Sequence, residues 1–137
     1  VLGDAQFREA MKNYALHFGA AFQIVDDVMD YTSSAEVMGK NVGDDLAEGK
    51  PTLPLIQAMK VAVPEDAEII RQAIKTGGLQ HLERIIRLVQ ETGALEYCHQ
   101  RAVKESDLAI AALSPLPPSI YKEALESLAK LALNRVS

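Results

Sequence analysis

The sequence has no tryptophan, only 5% aromatic residues and a single cysteine, Cys98. One thiol cannot close a disulfide within the chain, which excludes a disulfide-stapled scaffold and makes a reducing, cytoplasmic setting the expected one. Scarce aromatics remove the stacking platforms that single-stranded nucleic acids need. Basic residues are also in the minority, 14 Lys and Arg against 19 Asp and Glu, for a net charge of −5. No broad cationic surface is available for a phosphate backbone, so no nucleic-acid partner is expected. No apolar run approaches the roughly 20 residues that cross a bilayer, and no secretory leader pattern opens the sequence.

What is present is globular and helical. Hydrophobic residues make up 48% of the 137, enough for one compact domain with a core. The chain opens on Val1 in what reads as the middle of a helical protein, and a longer parent polypeptide is expected. From Asp4, an N-cap candidate, to about Tyr31 there is no proline, and Phe7, Met11, Tyr14, Ala15, Phe18, Phe22, Val25 and Met29 recur at helical spacing. "TSSAEVMGKNVGDDLAEGKP" breaks that pattern with a loop of about 20 residues, a length at which loops are often functional.

Helices follow from about Thr52 to Val61 and from Pro64 to a stop at Gly77–Gly78. "LQHLERIIRLVQETG" sets Leu79, Leu82, Ile85, Ile86 and Val89 on one face before Gly93 ends it. The next helix runs to Leu113, and "SPLPPS" connects it to a last one from Ile120 to about Arg135. The apolar stripe of that last helix is Leu125, Leu128, Leu131, Ala132 and Val136. No strand pattern of useful length appears, so the fold class is all-α.

The informative anomaly is the crowding of Asp26, Asp27 and Asp30 into an otherwise apolar run of the first helix. At about 100° per residue, Asp26 and Asp30 lie about 40° apart and Asp27 about 100° from Asp26. Gln23, Gly19 and Ala20 share that arc, while Ile24, Val25, Val28 and Met29 take the other side and should pack. A solvated acidic patch is one reading. Against it stand the small or apolar neighbours, and the absence of Lys or Arg three or four positions from any of the three acids. Crowded, partly buried carboxylates are costly unless a cation balances them. An all-oxygen set suits a hard divalent ion such as Mg²⁺, which takes one or two carboxylates together with waters and substrate phosphate oxygens.

Lys40 in "MGKN" and Lys50 in "EGKP" each follow a glycine, which permits a sharp turn and close approach to an anion. Singly, each reads as a solvated loop lysine. Beside a carboxylate face they suit a diphosphate, whose charge on departure a metal and lysines would stabilise together. Asp44 and Asp45 could pair with these lysines or act through outer-shell water. His17, His81 and His99 have no second ligand at metal spacing and read as surface or packing residues. Cys98 beside His99 reads as a packed thiol, because adjacent helix positions do not face each other.

"GAAFQIVDDVMDY", followed by "GKN" and "GKPTLPLI", resembles the second aspartate-rich region of the trans-isoprenyl diphosphate synthases, and within that family the long-chain octaprenyl type. The resemblance implies that residues 1–137 are the C-terminal part of an isoprenoid-synthase helical bundle. It makes Asp26 a direct Mg²⁺ ligand, with Asp27 and Asp30 acting largely through the metal's water shell. Gln23, Lys40 and Lys50 become the catalytic and substrate-binding set at the allylic diphosphate, and Phe22 a wall near isopentenyl diphosphate and the growing chain. The implied reaction is head-to-tail condensation of isopentenyl diphosphate with an allylic diphosphate such as farnesyl diphosphate, for a quinone side chain. A homodimer, with peripheral membrane contact for product release, is implied as well.

The family's first aspartate-rich motif and its upstream basic residues do not occur in these 137 residues. The chain alone is therefore expected to be inactive, to expose apolar faces, and to leave product length unspecified. A non-catalytic helical subunit or regulatory relative is the alternative reading. A terpene cyclase on the same bundle is a third, disfavoured by the Gly-Lys loop.

Overall fold

The computed structural model describes residues 3–32, 47–77 and 79–134. Among them are six α-helices: α1 (Asp4–Thr32), α2 (Leu53–Val61), α3 (Pro64–Thr76), α4 (Leu82–Glu91), α5 (Ala94–Ala112) and α6 (Ile120–Leu133). A single 3₁₀ turn, Leu79–His81, precedes α4, and no strand occurs among the described residues. The fold is all-α. No helix among the described residues is long and apolar enough to cross a membrane.

The helix ends follow local chemistry. The carbonyl of Gly3 accepts from Phe7 N, which makes Gly3 the cap of α1 and puts Asp4 inside its first turn. The Gln6 side chain reaches back to accept from Gly3 N, the return half of a capping box. α3 starts with Pro64 and carries Glu65 and Asp66 in its first turn, where carboxylates favour the helix dipole. It closes at Gly77, which has φ +93°. Ser119 caps α6 by accepting from Lys122 N at 3.1 Å.

The chain divides into two compact units, residues 1–25 with 99–137, and residues 26–98. In the first, Tyr14, Ala109, Leu113 and Ala129 form a buried cluster joined by Met11, Phe18, Ile110 and Leu125. The Tyr14 hydroxyl donates to the Leu125 carbonyl at 2.7 Å, and buried Ser106 donates to the Ala129 carbonyl at 2.9 Å. α6 buries Ala129 and Ala132, while Leu128 and Leu131 of the expected stripe stay exposed. On the packed side the Ser106 hydroxyl reaches the Ala129 carbonyl, and Leu125 of the stripe joins the buried cluster. Phe7, Leu16, Ile120 and Tyr121 are exposed too. Phe7, Met11, Leu116, Tyr121 and Leu125 line an apolar groove.

The second unit is organised around Tyr31, Leu55, Ala58, Ile70, Ala73, Ile85, Val89 and Ala94, all buried. Each large aliphatic side chain removed from water there contributes about 1.5–3 kcal/mol. Gln90 donates to the Tyr31 carbonyl at 3.3 Å, tying the end of α1 to α4. Asp66 of α3 holds Arg84 of α4, and that hydrogen bond raises the guanidinium above its ordinary range.

Candidate metal and diphosphate site

The carboxylates stand where α1 becomes buried. Of the expected packed side, Val25, Val28 and Met29 are buried and Ile24 is half-buried; Tyr31 is buried as well. Earlier on α1, Phe22 and Gln23 are exposed, and a side-chain carbon added at Gly19 would meet nothing within 4 Å. Asp26 is half-buried, Asp27 is 9% exposed and Asp30 1% exposed. A solvated acidic patch would not bury two of its three acids, because desolvating a carboxylate disfavours its charged form. Among the described residues, no group of three or more His, Cys, Asp or Glu side chains converges as a ready-made metal cage. Mg²⁺ seldom uses an all-protein cage, and one or two carboxylates with waters and phosphate oxygens is its ordinary set. The donors on α1 fit that kind of ion.

Along the same helix, Tyr14 stacks on Phe18 with ring centroids 5.7 Å apart, and Phe18 leans toward Phe22 at 6.1 Å. Phe22 thus ends an aromatic ladder, with its ring presented to the surface.

Lys50 lies in the same unit as the three aspartates. It is exposed, and its Nζ is 3.5 Å from Glu48 Oε2, also exposed. Such an exposed pair is worth about 1 kcal/mol at most. Gly49 is needed at its position, with φ +75°, but it makes its close approach to protein backbone. A side-chain carbon there would lie 2.9 Å from the Ile74 carbonyl oxygen and 3.2 Å from that of Ala73. Lys40, Asp44 and Asp45 lie outside the described residues.

A sequence model of the polyprenyl synthetase family matches residues 1–91. The chain belongs to the polyprenyl synthetase family. Among its relatives in that family, the all-trans-nonaprenyl-diphosphate synthase (geranyl-diphosphate specific) of Rhodobacter capsulatus is 53% identical over 98% of this chain. The octaprenyl diphosphate synthase of Escherichia coli (strain K12) is 48% identical over 93% of it. The chain spans only 41% and 40% of the lengths of these curated relatives. Among solved structures, a polyprenyl synthase from Caulobacter crescentus CB15, complexed with calcium and isoprenyl diphosphate, superposes with a TM-score of 0.86. It is 38% identical, and the match covers 98% of this chain and 42% of that one.

Two features of this polyprenyl synthetase chain escaped the sequence reading. Glu48 was visible as an acid two places from Lys50, yet nothing local distinguishes it from Asp44 and Asp45. His17, read as a surface or packing residue, pairs with Glu105 at 2.6 Å; 88 positions separate them and no local pattern signals it.

Proposed function

We propose that residues 1–137 form the C-terminal portion of a long-chain trans-prenyl diphosphate synthase of the octaprenyl type. Its substrates are isopentenyl diphosphate and an allylic diphosphate such as farnesyl diphosphate. The observation that carries this reading is the run of Asp26, Asp27 and Asp30 into the buried part of α1, with exposed Lys50 in the same unit. The reaction breaks the allylic carbon–oxygen bond, forms a carbon–carbon bond to the isopentenyl double bond, and loses one proton, with diphosphate leaving.

Asp26, the most accessible of the three acids, would hold Mg²⁺ directly, and Asp27 and Asp30 would hold it through water. Bound Mg²⁺ supplies positive charge to the diphosphate oxygens as that group departs. The Lys50 ammonium, and Lys40 in the same role, donate to the non-bridging oxygens, where negative charge grows. The Gln23 amide donates to a phosphate oxygen, and the exposed Phe22 ring walls the hydrocarbon. Exposed Phe7, Leu16, Leu128 and Leu131 are apolar faces that the remainder of a longer bundle would cover. Cytoplasmic location, a homodimer, peripheral membrane contact for product release and supply of a quinone side chain belong to the same proposal.

The test is a chimera in which this chain replaces the matching segment of the Escherichia coli octaprenyl diphosphate synthase. It should incorporate isopentenyl diphosphate onto farnesyl diphosphate, and Asp26→Ala in it should lower turnover by about 100-fold or more. The 137-residue chain alone should not turn over. A folded but inert chimera would favour the non-catalytic subunit instead, and an Asp26→Ala chimera at normal rate would remove the carboxylate from the metal.

A further inference from the structure

We propose that the C-terminal end of α3, from Ala73 to Gly77, is the seat that positions Lys50 for diphosphate binding, which makes Gly49 and Gly77 positioning residues. This rests on the proposed role of Lys50.

Two glycines interlock. The α-carbon of Gly49 lies against the last-turn carbonyls of α3, leaving no room for a side-chain carbon. A side-chain carbon on Gly77 would in turn stand 3.1 Å from the Ala47 carbonyl oxygen. Both have positive φ, where an L side chain is strained. The seat itself cannot give way easily. Gly77 N donates to the Ala73 carbonyl at 2.8 Å, and Ala73 and Ile70 of α3 are buried in the core.

On its other side Lys50 is held as well, because its carbonyl accepts from Thr52 N at 2.9 Å and Pro51 restricts the intervening backbone. The backbone of Lys50 is therefore fixed from both directions while its side chain stays exposed. A donor mounted on rigid backbone binds its anion with less ordering cost than one on a mobile loop, and small displacements of such a group weaken binding steeply. The glycine before Lys50 thus serves an approach to α3, through which the lysine is aimed.

Gly93 supplies the control. It has φ +81°, and a side-chain carbon there would meet nothing within 4 Å. Gly93→Ala therefore imposes similar backbone strain without a collision. The experiment measures inorganic pyrophosphate affinity by calorimetry in the 137-residue chain, together with acetylation of Lys50 followed by mass spectrometry. Wild type should bind pyrophosphate and shield Lys50. Gly49→Ala and Gly77→Ala should each weaken binding by about tenfold or more and lose the shielding, with Mn²⁺ affinity measured in the absence of pyrophosphate within about twofold of wild type. Gly93→Ala should match wild type.

Wild-type affinity and shielding in both Gly49→Ala and Gly77→Ala would overturn the seat and leave the role of Lys50 standing. A wild-type chain that binds no pyrophosphate would overturn that role, and the seat with it. Should neither variant fold, hydrogen exchange in the wild type decides: pyrophosphate should slow amides 74–77, and unchanged exchange there would overturn the seat.

Discussion

His17 on α1 and Glu105 on α5 face each other with Nδ1 and Oε2 2.6 Å apart, their side chains 28% and 16% exposed. Within the unit formed by residues 1–25 and 99–137, this contact ties α1 to α5. Charge-assisted hydrogen bonds of this kind contribute more than neutral ones when partly shielded from water. His17→Ala should lower unfolding free energy by about 1–3 kcal/mol. In a double-mutant cycle with Glu105→Gln, urea unfolding should give a coupling of at least about 0.5 kcal/mol. A coupling near zero would make the pair incidental.

Tyr14 predicts an alkaline limit. Burial pushes its hydroxyl above the ordinary tyrosine value, and that hydroxyl donates to the Leu125 carbonyl. The folded chain keeps a proton that the unfolded chain gives up. The stabilisation is thus whole below about pH 10 and is lost as pH rises through the folded value. Tyr14→Phe should cost about 1 kcal/mol near neutral pH through the missing hydrogen bond. Its melting temperature should then fall less steeply than that of wild type above about pH 10. Parallel declines would remove Tyr14 as the cause.

How much of this was legible in the sequence divides by range. α1, α2 and α3 lie within a residue or two of their sequence-derived ends, because Pro64, Gly77 and the apolar period act locally. Val25, Val28 and Met29 on the packed side of α1 were legible for the same reason, since helical spacing alone groups them, whereas the burial of Asp27 and Asp30 was not. The cap of α1 was misplaced by one residue, because a glycine supported by Gln6 is a weaker signal than an aspartate. Three features needed tertiary structure. α6 packs its alanines where Ser106 reaches the Ala129 carbonyl, His17 finds Glu105 across 88 positions, and Gly49 rests on α3.

Glu48 Oε2 lies 3.5 Å from Lys50 Nζ, where an anion bound by the lysine would meet its charge. Removing it by Glu48→Gln should tighten pyrophosphate binding, and because the pair is exposed the gain is bounded at about twofold to fivefold. The gain should shrink as salt is raised. Calorimetry at low and high ionic strength checks both. Unchanged or weaker binding would show that Glu48 does not restrain the lysine.

The proposed role of the aspartate face of α1 is to take a hard divalent cation together with diphosphate. Mn²⁺ shares the oxygen preference of Mg²⁺ and is paramagnetic, so the loss of free Mn²⁺ signal on adding the 137-residue chain, beyond the loss that inorganic pyrophosphate causes without the chain, measures that binding. The wild-type chain should take up Mn²⁺, and Asp26→Asn, with unchanged helical circular dichroism, should bind it at least about tenfold more weakly. Equal Mn²⁺ uptake by the two chains would contradict the account.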